Sequence, residues 1–334
     1  MEVTDLEILN ASPILVDLRA ILQTLDVSAN IYLNRPRSHT LVDAAETVHI
    51  NNLLGVQEYI LPEILQLLGI RSITLSGQYD LTQLASLQID LGINPDERNL
   101  QQYLKNDAIV GGLRALFQQS RTIAFDDWST MPAASNVWNT LSTNVIKPIG
   151  RKDLELIFYL GDPQTKLSFQ VDEALDIIGD FSRYGQITFV LDEQEALHLW
   201  RKLNGVHQDI STTDQPFPDL KRKYTSIFRT MNIGRLLIYS TSHTTLITTT
   251  KPFILTHNHT TSTIEMAADA RQNFIEGFSL GLLLELDMPQ CLALGLIVFG
   301  SFGEQSGIPE QKDLLAYIDH WIDELKKPET LHLY

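Results

Sequence analysis

Short apolar runs alternate with helical patterns along most of this chain, and the alternation limits the folds that it can adopt. Apolar runs rich in β-branched or aromatic side chains are typical of strands buried in a parallel sheet. Between them, Asp172–Ser182 and Glu193–Leu203 repeat apolar residues at helical spacing. The runs that predict strands are Pro13–Asp17, Arg71–Leu75, Thr122–Phe125, Leu154–Tyr159, Gln186–Leu191 and Arg235–Tyr239.

This order of elements predicts an α/β fold with a doubly wound, mostly parallel central sheet flanked by helices. We expect one domain over residues 1–334. Two regions depart from the alternation. Residues 26–55 contain short β-type runs without a strong helix, which predicts a small β appendage, and the threonine-rich residues 241–263 predict a β-hairpin.

The charge balance excludes some partners. The chain has 41 acidic and 25 basic residues and a net charge of −16, so its mean field repels nucleic acid and anionic membranes. A single cysteine, Cys291, excludes an internal disulfide. No segment has the apolar length of a membrane span, and the N-terminus lacks the layout of a signal peptide. We therefore expect a cytoplasmic protein without nucleic-acid or membrane partners.

The C-terminal third carries a recognisable order of motifs. A hairpin and a polar loop lead into an apolar helix that contains Phe274, Gly277-Phe278 and Gly281–Leu283, followed by Leu286-Asp287 and Cys291–Gly295. This order resembles the ribokinase-like PfkB family of carbohydrate kinases, in which a Gly-Ala-Gly-Asp loop precedes such a helix. The resemblance implies a ribokinase-like α/β fold in which residues 26–55 form a small β lid.

The middle of the chain agrees with this resemblance. Ala124–Pro132, Tyr159–Pro163 and Leu191–Ala196 resemble spaced segments of one sugar-kinase branch of the family. The similarity is continuous from about residue 120 to residue 322 and colinear before that. Several separate segments in the same order predict the family more specifically than a single motif does.

The family's loop places backbone N–H groups at a helix N-terminus, where they stabilise charge on a transferred phosphoryl group, and its Asp is the base for the attacking hydroxyl. In this chain Asp269 and Arg271 stand at the two glycine positions, Ala270 at the small residue, and Gln272 at the base. An amide accepts no proton at neutral pH, whereas the guanidinium group of Arg271 binds phosphate well. Asp269 is a candidate substitute base.

Further positions of the family's site are also altered. Its Gly-Gly-Asn segment reads Gly55-Val56-Gln57, which makes Gln57 a candidate substrate-binding residue. Asp127 and Asp162 follow strands; they are either substrate-binding residues or local caps and turn formers. The Asn-x-x-Glu motif reads Asp192-x-x-Glu195, and these two carboxylates either hold hydrated Mg²⁺ or cap a helix.

Three interpretations remain open at this stage. The first is a ribokinase-like homologue with lost or impaired catalysis, a pseudokinase-type binding or regulatory protein. The second is an active ATP-dependent carbohydrate or nucleoside kinase with an altered catalytic loop, and the third is an unrelated α/β protein. The resemblance implies ATP and Mg²⁺ as cofactors, a small sugar or nucleotide as ligand, and a homodimer formed through the lid.

Overall fold

The computed structural model of this protein describes most of the chain from residue 104 onward and shorter pieces before it. The predicted lid over residues 26–55, together with Gln57, lies outside the described residues. For residues 70–74 and 85–90, the structure describes the course of the backbone but not the side chains. The described residues are 7–24, 70–74, 85–90, 104–126, 128–130, 133–206, 217–240, 243–256, 268–305 and 311–326.

Nine strands of the described residues form one sheet, in the order β1-β9-β8-β7-β6-β5-β4-β3-β2. Strands β3 to β7 run parallel to one another, and β1 runs parallel to β9. Strands β2 and β8 are antiparallel to their neighbours, so β8 and β9 form the predicted hairpin. The strands are β1 (Glu7–Ile8), β2 (Ile70–Thr74), β3 (Ala85–Asp90), β4 (Ser120–Asp126), β5 (Leu154–Tyr159), β6 (Gly185–Asp192), β7 (Arg235–Tyr239), β8 (His243–Thr248) and β9 (Pro252–Thr256).

Helices cover both faces of this sheet. In the part of the chain that the structure describes, none combines the length and apolar character needed to cross a membrane. Helix α3 continues through a π-helical segment, Ser142–Ile146, to Lys147–Ile149. The helices are α1 (Ala11–Thr24), α2 (Asp107–Gln119), α3 (Ala134–Leu141), α4 (Ser168–Asp180), α5 (Glu193–Asn204), α6 (Phe217–Thr230), α7 (Ala268–Leu283), α8 (Met288–Gln305) and α9 (Gln311–Lys326).

The alternation of side chains along each strand divides the interior into two cores. On β5, Leu156 and Phe158 face the core under α2 to α6, whereas Ile157 and Tyr159 face the core under α1, α7, α8 and α9. All four are essentially inaccessible to solvent. The predicted α/β class, with a mostly parallel sheet between two helical layers, is confirmed.

The prediction of a strand at Pro13–Asp17 is wrong, because these residues lie in helix α1. Leu15, Leu18 and Leu22 are fully buried, at a spacing that fits one face of a helix rather than alternate positions of a strand. Pro13 is tolerated because it lies in the first turn, where backbone N–H groups have no partner within the helix. A short apolar run cannot by itself distinguish the two structures.

Helices α7 and α8 pack with their backbones close together. A Cβ on Gly277 would lie 2.6 Å from the carbonyl oxygen of Leu294 and 2.9 Å from the Cα of Gly295. A Cβ on Gly281 would lie 2.9 Å from the Cα of Cys291. Both glycines are therefore required by the approach of the two helices, and they fix the position of α7 against α8.

Candidate functional site

The carboxyl ends of the parallel strands place polar residues at one edge of the sheet. Asp162 follows β5, Asp192 ends β6, and Ser240 follows β7. Strand β8 runs in the opposite direction, so its first residue, His243, lies at the same edge. This edge is where ligands bind in open α/β sheets.

Asp192 and Glu195 form a reciprocal cap at the start of α5. The backbone N–H of Glu195 donates to Asp192 Oδ1 at 2.7 Å, and that of Asp192 donates to Glu195 Oε2 at 2.9 Å. The hydroxyl of Tyr159 donates to the other oxygen of Glu195, whose side chain is buried. Three of the four carboxylate oxygens therefore accept hydrogen bonds within the protein, the arrangement of a capping box.

This geometry fits a helix cap better than a magnesium site. Mg²⁺ requires nearly octahedral coordination by oxygen atoms, and the bonds of the cap already use Asp192 Oδ1 and both oxygens of Glu195. Among the described residues, no group of three or more His, Cys, Asp and Glu side chains is placed to hold a metal ion. The metal role of Asp192 and Glu195 stays a prediction.

Asp162 is part of a chain of hydrogen bonds that reaches α5. Its Oδ1 accepts from the backbone N–H of Gln164 at 2.8 Å and from His198 Nδ1 at 2.9 Å. Gln194 Nε2 lies 2.8 Å from the other ring nitrogen of His198, which fits a ring protonated on Nδ1. Asp162 therefore stabilises the predicted turn, and its side chain, which is 41% exposed, is also accessible to solvent.

A second polar group, which the sequence did not predict, lies beside the cap. We call Glu193, Tyr224, Ser240 and His243 the carboxyl-edge cluster. The hydroxyl of Tyr224 donates to Glu193 Oε1 at 3.2 Å, and the same oxygen lies 4.0 Å from His243 Nε2. Ser240 Oγ lies 3.0 Å from His243 Nδ1.

Burial controls the protonation of this cluster. It lowers the pKa of His243 below its usual value, although the nearby Glu193 acts in the opposite direction. Burial also raises the pKa of Tyr224 far above its usual value, and the carboxylate of Glu193 adds to this shift. At neutral pH the cluster therefore contains a neutral imidazole and a neutral phenol beside a carboxylate, groups that can donate and accept hydrogen bonds from a polar ligand.

The first turn of α7 lies at the same edge of the sheet. The sequence predicted a loop over Asp269–Gln272 and a helix from Asn273, but α7 already begins at Ala268. The replacement of both glycines by Asp269 and Arg271 favours this earlier start, because glycine weakens a helix. The ring of Phe274 stacks on Tyr239, the last residue of β7, with centroids 5.0 Å apart and planes at 9°.

The buried amide of Asn273 lies one turn further along α7. Its side chain is 1% exposed, and in the described part of the chain its Nδ2 has no hydrogen-bond partner. A helix N-terminus carries partial positive charge and free N–H groups, which suit an anion. The side chains of Asp269, Arg271 and Gln272 are outside the described residues, as is Asp127, so their predicted roles are not tested.

Comparisons with known proteins give similarities of structure. No protein-family model matches the sequence, and no curated protein matches it. Ribokinase from Arabidopsis thaliana, solved with ribose and ATP, is 15% identical and has a TM-score of 0.44; the match covers 70% of this chain and 65% of that one. Adenosine kinase from Anopheles gambiae is 14% identical with a TM-score of 0.45, over 68% and 62% of the two chains.

A probable sugar kinase from Rhizobium etli is 16% identical with a TM-score of 0.44, over 62% of this chain and 56% of that one. In each of these three matches the chain covers less than two thirds of the other protein's length. The similarity concerns the course of the backbone and not the chemistry of a site.

Proposed function

We propose that this protein is a ribokinase-like binding or regulatory protein in which phosphoryl transfer is lost or strongly impaired. The observation that carries the proposal is the residue type near the start of α7. Gln272 stands where the family has its catalytic base, and an amide cannot take the proton of an attacking hydroxyl. Loss of a general base removes a contribution of about 10²–10⁴-fold in rate.

The capping box supports the same proposal from a second direction. In a kinase of this family, the motif at Asp192 and Glu195 organises metal and phosphate. Here the two side chains bond to each other's backbone, and Tyr159 holds Glu195. These bonds stabilise the start of α5, the role of a helix cap.

The ligand we propose is a small polar molecule of the sugar or nucleotide class. Glu193, His243 and Asp162 offer hydrogen-bond donors and acceptors at the carboxyl edge, and the N-terminus of α7 offers N–H groups to an anionic part. Gln57 and Asp127 are proposed as further contacts on the family resemblance. We also propose a homodimer through the lid, for which light scattering at micromolar concentration is the test.

Binding and turnover are separable in one set of measurements. Thermal unfolding is followed with ATP–Mg²⁺ and a panel of sugars and nucleosides, and ADP release is measured on the same samples. A ligand at 100 times its Kd stabilises the folded state by about 2.7 kcal/mol. We expect stabilisation by at least one ligand without ADP release above the blank.

Variants of the α7 turn decide between inactivity and altered catalysis. Gln272→Asp restores a carboxylate, and we expect it to leave ligand binding in place and to increase any ADP release. Gln118→Ala, an exposed change on α2, is the matched control for Gln272→Ala. ADP release by the wild type that disappears in Gln272→Ala or Arg271→Ala, and persists in the control, would contradict the proposal and favour an active kinase.

A further inference from the structure

A cavity of about 200 Å³ lies between α5 and the start of α4, on the outer side of His198. It is smaller than the roughly 300–1,000 Å³ of pockets for drug-sized molecules, but it can hold a small ion with part of its hydration. We call it the α5 pocket. It is lined by Gln164, Ser168, His198, Arg201, Lys202, Gly205 and Val206.

The α5 pocket concentrates positive charge in an acidic protein. The chain carries a net charge of −16, yet Arg201 and Lys202 both line this pocket, with His198 between them and Asp162. Among the described residues, no carboxylate lines it. A concave surface that gathers cationic groups focuses its field on an anion inside it.

The cationic side chains are held in position rather than extended into solvent. Lys202 Nζ donates to the backbone carbonyl of Lys166 at 2.5 Å, which anchors the ammonium group and leaves it further N–H donors. Arg201 and Lys202 are both half-buried in the last turn of α5. His198 has a side chain only 12% exposed and is fixed by Asp162 and Gln194. Preorganised donors lose little entropy when a ligand binds.

The opposite wall of the pocket adds donors from the backbone. Ser168, the first residue of α4, lines the pocket. The preceding residue, Leu167, has an apolar side chain that cannot cap the helix; its N–H donates to Gln170 Oε1, and its carbonyl oxygen accepts from the N–H groups of Gln170 and Val171. Helix α4 therefore leaves the N–H groups of Ser168 and Phe169 without a side-chain cap.

We propose that the α5 pocket binds a small oxyanion of the phosphate class, either the free ion or a phosphomonoester. An oxyanion accepts hydrogen bonds on several oxygens at once, which matches donors that converge from α5 and from the start of α4. This site is separate from the first turn of α7. His198 lines the α5 pocket and donates from Nδ1 to Asp162, so the pocket adjoins the carboxyl edge.

Calorimetric titration of the full chain with inorganic phosphate, at constant ionic strength set with sodium chloride, tests the proposal. We expect a site that binds at least tenfold more weakly in the double variant Arg201→Gln, Lys202→Gln. The control is the double variant Arg222→Gln, Lys326→Gln, which removes the same two positive charges. Both of these side chains are at least 70% exposed and lie away from the pocket. We expect the control to bind as the wild type does.

Ser168→Asp provides a second variant that is expected to fold. A carboxylate at a helix N-terminus stabilises the helix, but here it also occupies the pocket and repels an anion. We expect loss of phosphate binding without loss of thermal stability. A parallel titration with glycerol phosphate identifies the source of the anion, since the tighter ligand indicates the free ion or the ester. No binding of either ligand by the wild type, or equal binding by the pocket variants, would overturn the proposal.

Discussion

The two helical layers are held against the sheet in different ways. Under α2 to α6, packing relies on large rings: Phe158 stacks on Phe125 with centroids 4.6 Å apart and meets Trp138 and Phe181 edge to face at 5.2 and 4.9 Å. In the other layer, α7 and α8 approach so closely that Gly277 has no room for a Cβ. The first layer therefore meets the sheet through a cluster of rings, whereas the second combines the ring contact of Phe274 and Tyr239 with a backbone contact between two of its helices.

This difference bears on the candidate site, because each layer contributes one helix start to the carboxyl edge. Helix α5 belongs to the layer of large rings and begins with the capping box of Asp192 and Glu195. Helix α7 belongs to the other layer and begins with the turn that contains Gln272. Side chains can change rotamer to accommodate a substitution, whereas a backbone contact cannot. We therefore expect the position of the α7 turn to be the more sensitive to substitution.

The largest effect is expected from truncation of the aromatic cluster. Phe158→Ala removes a fully buried ring and leaves a cavity between β5 and α3, which costs about 3–5 kcal/mol of unfolding free energy. Urea denaturation measures the loss. Phe169→Ala is the matched control, because that ring is 66% exposed and its removal is expected to change stability by less than about 0.5 kcal/mol. Equal losses in both variants would show that the ring cluster does not hold its layer.

Gly277→Ala tests the backbone contact in the other layer. Alanine favours a helix by about 1 kcal/mol over glycine, but here its Cβ meets the carbonyl oxygen of Leu294 at 2.6 Å. Overpacking a close contact costs about 1–3 kcal/mol, so after the gain in helix propensity we expect a net loss of up to about 2 kcal/mol. Ligand binding at the carboxyl edge should weaken as well, because α7 must move.

The same substitution elsewhere should have the opposite sign. Gly111 lies on the exposed side of α2, and a Cβ there would have nothing within 4 Å. Gly111→Ala should therefore stabilise the protein by up to about 1 kcal/mol. A loss in Gly111→Ala, or no loss in Gly277→Ala, would contradict the distinction between the two layers.

The sequence predicted the fold best for strands that are buried on both faces of the sheet, because their apolar runs fit only a strand. Leu154–Tyr159 and Arg235–Tyr239 were predicted as strands to the residue, because buried parallel strands are continuously apolar. Pro13–Asp17 failed because a run of that length also fits one face of a helix. Strand β3 was not predicted, since Ala85–Asp90 mixes polar residues into a short run.

The site was harder to predict than the fold. Asp162, Asp192 and Glu195 were candidates because they follow strands or a motif, and they do lie at the carboxyl edge. Glu193 and His243 were missed because they are far apart in sequence and meet only through the order β6-β7-β8. The one signal was position: Glu193 begins a helix directly after a strand, and His243 begins the strand that pairs with β7.

A smaller effect is expected at the start of α5. Asp192→Ala removes the side chain that accepts from the N–H of Glu195 and should cost about 1 kcal/mol, whereas Asp192→Asn keeps an acceptor and should cost a few tenths. Thermal unfolding with and without Mg²⁺ distinguishes a cap from a metal ligand. Stabilisation of the wild type by Mg²⁺ that is lost in Asp192→Asn would support the metal role instead.

The smallest effect concerns His243, at the carboxyl edge of the sheet. Burial lowers its pKa in the folded state, so on acidification the unfolded chain takes up this proton first. Stability is complete above the usual histidine pKa of about 6.5 and falls as the pH drops through it toward the lowered folded pKa. The expected loss from this residue is at most about 0.7 kcal/mol between pH 7 and pH 6. Urea denaturation at the two pH values should show that His243→Gln removes this part of the dependence, while His320→Gln, whose side chain is 50% exposed on α9, retains it. If the pH dependence of stability were unchanged in His243→Gln, the ring of His243 would be accessible to water and protons in the folded state.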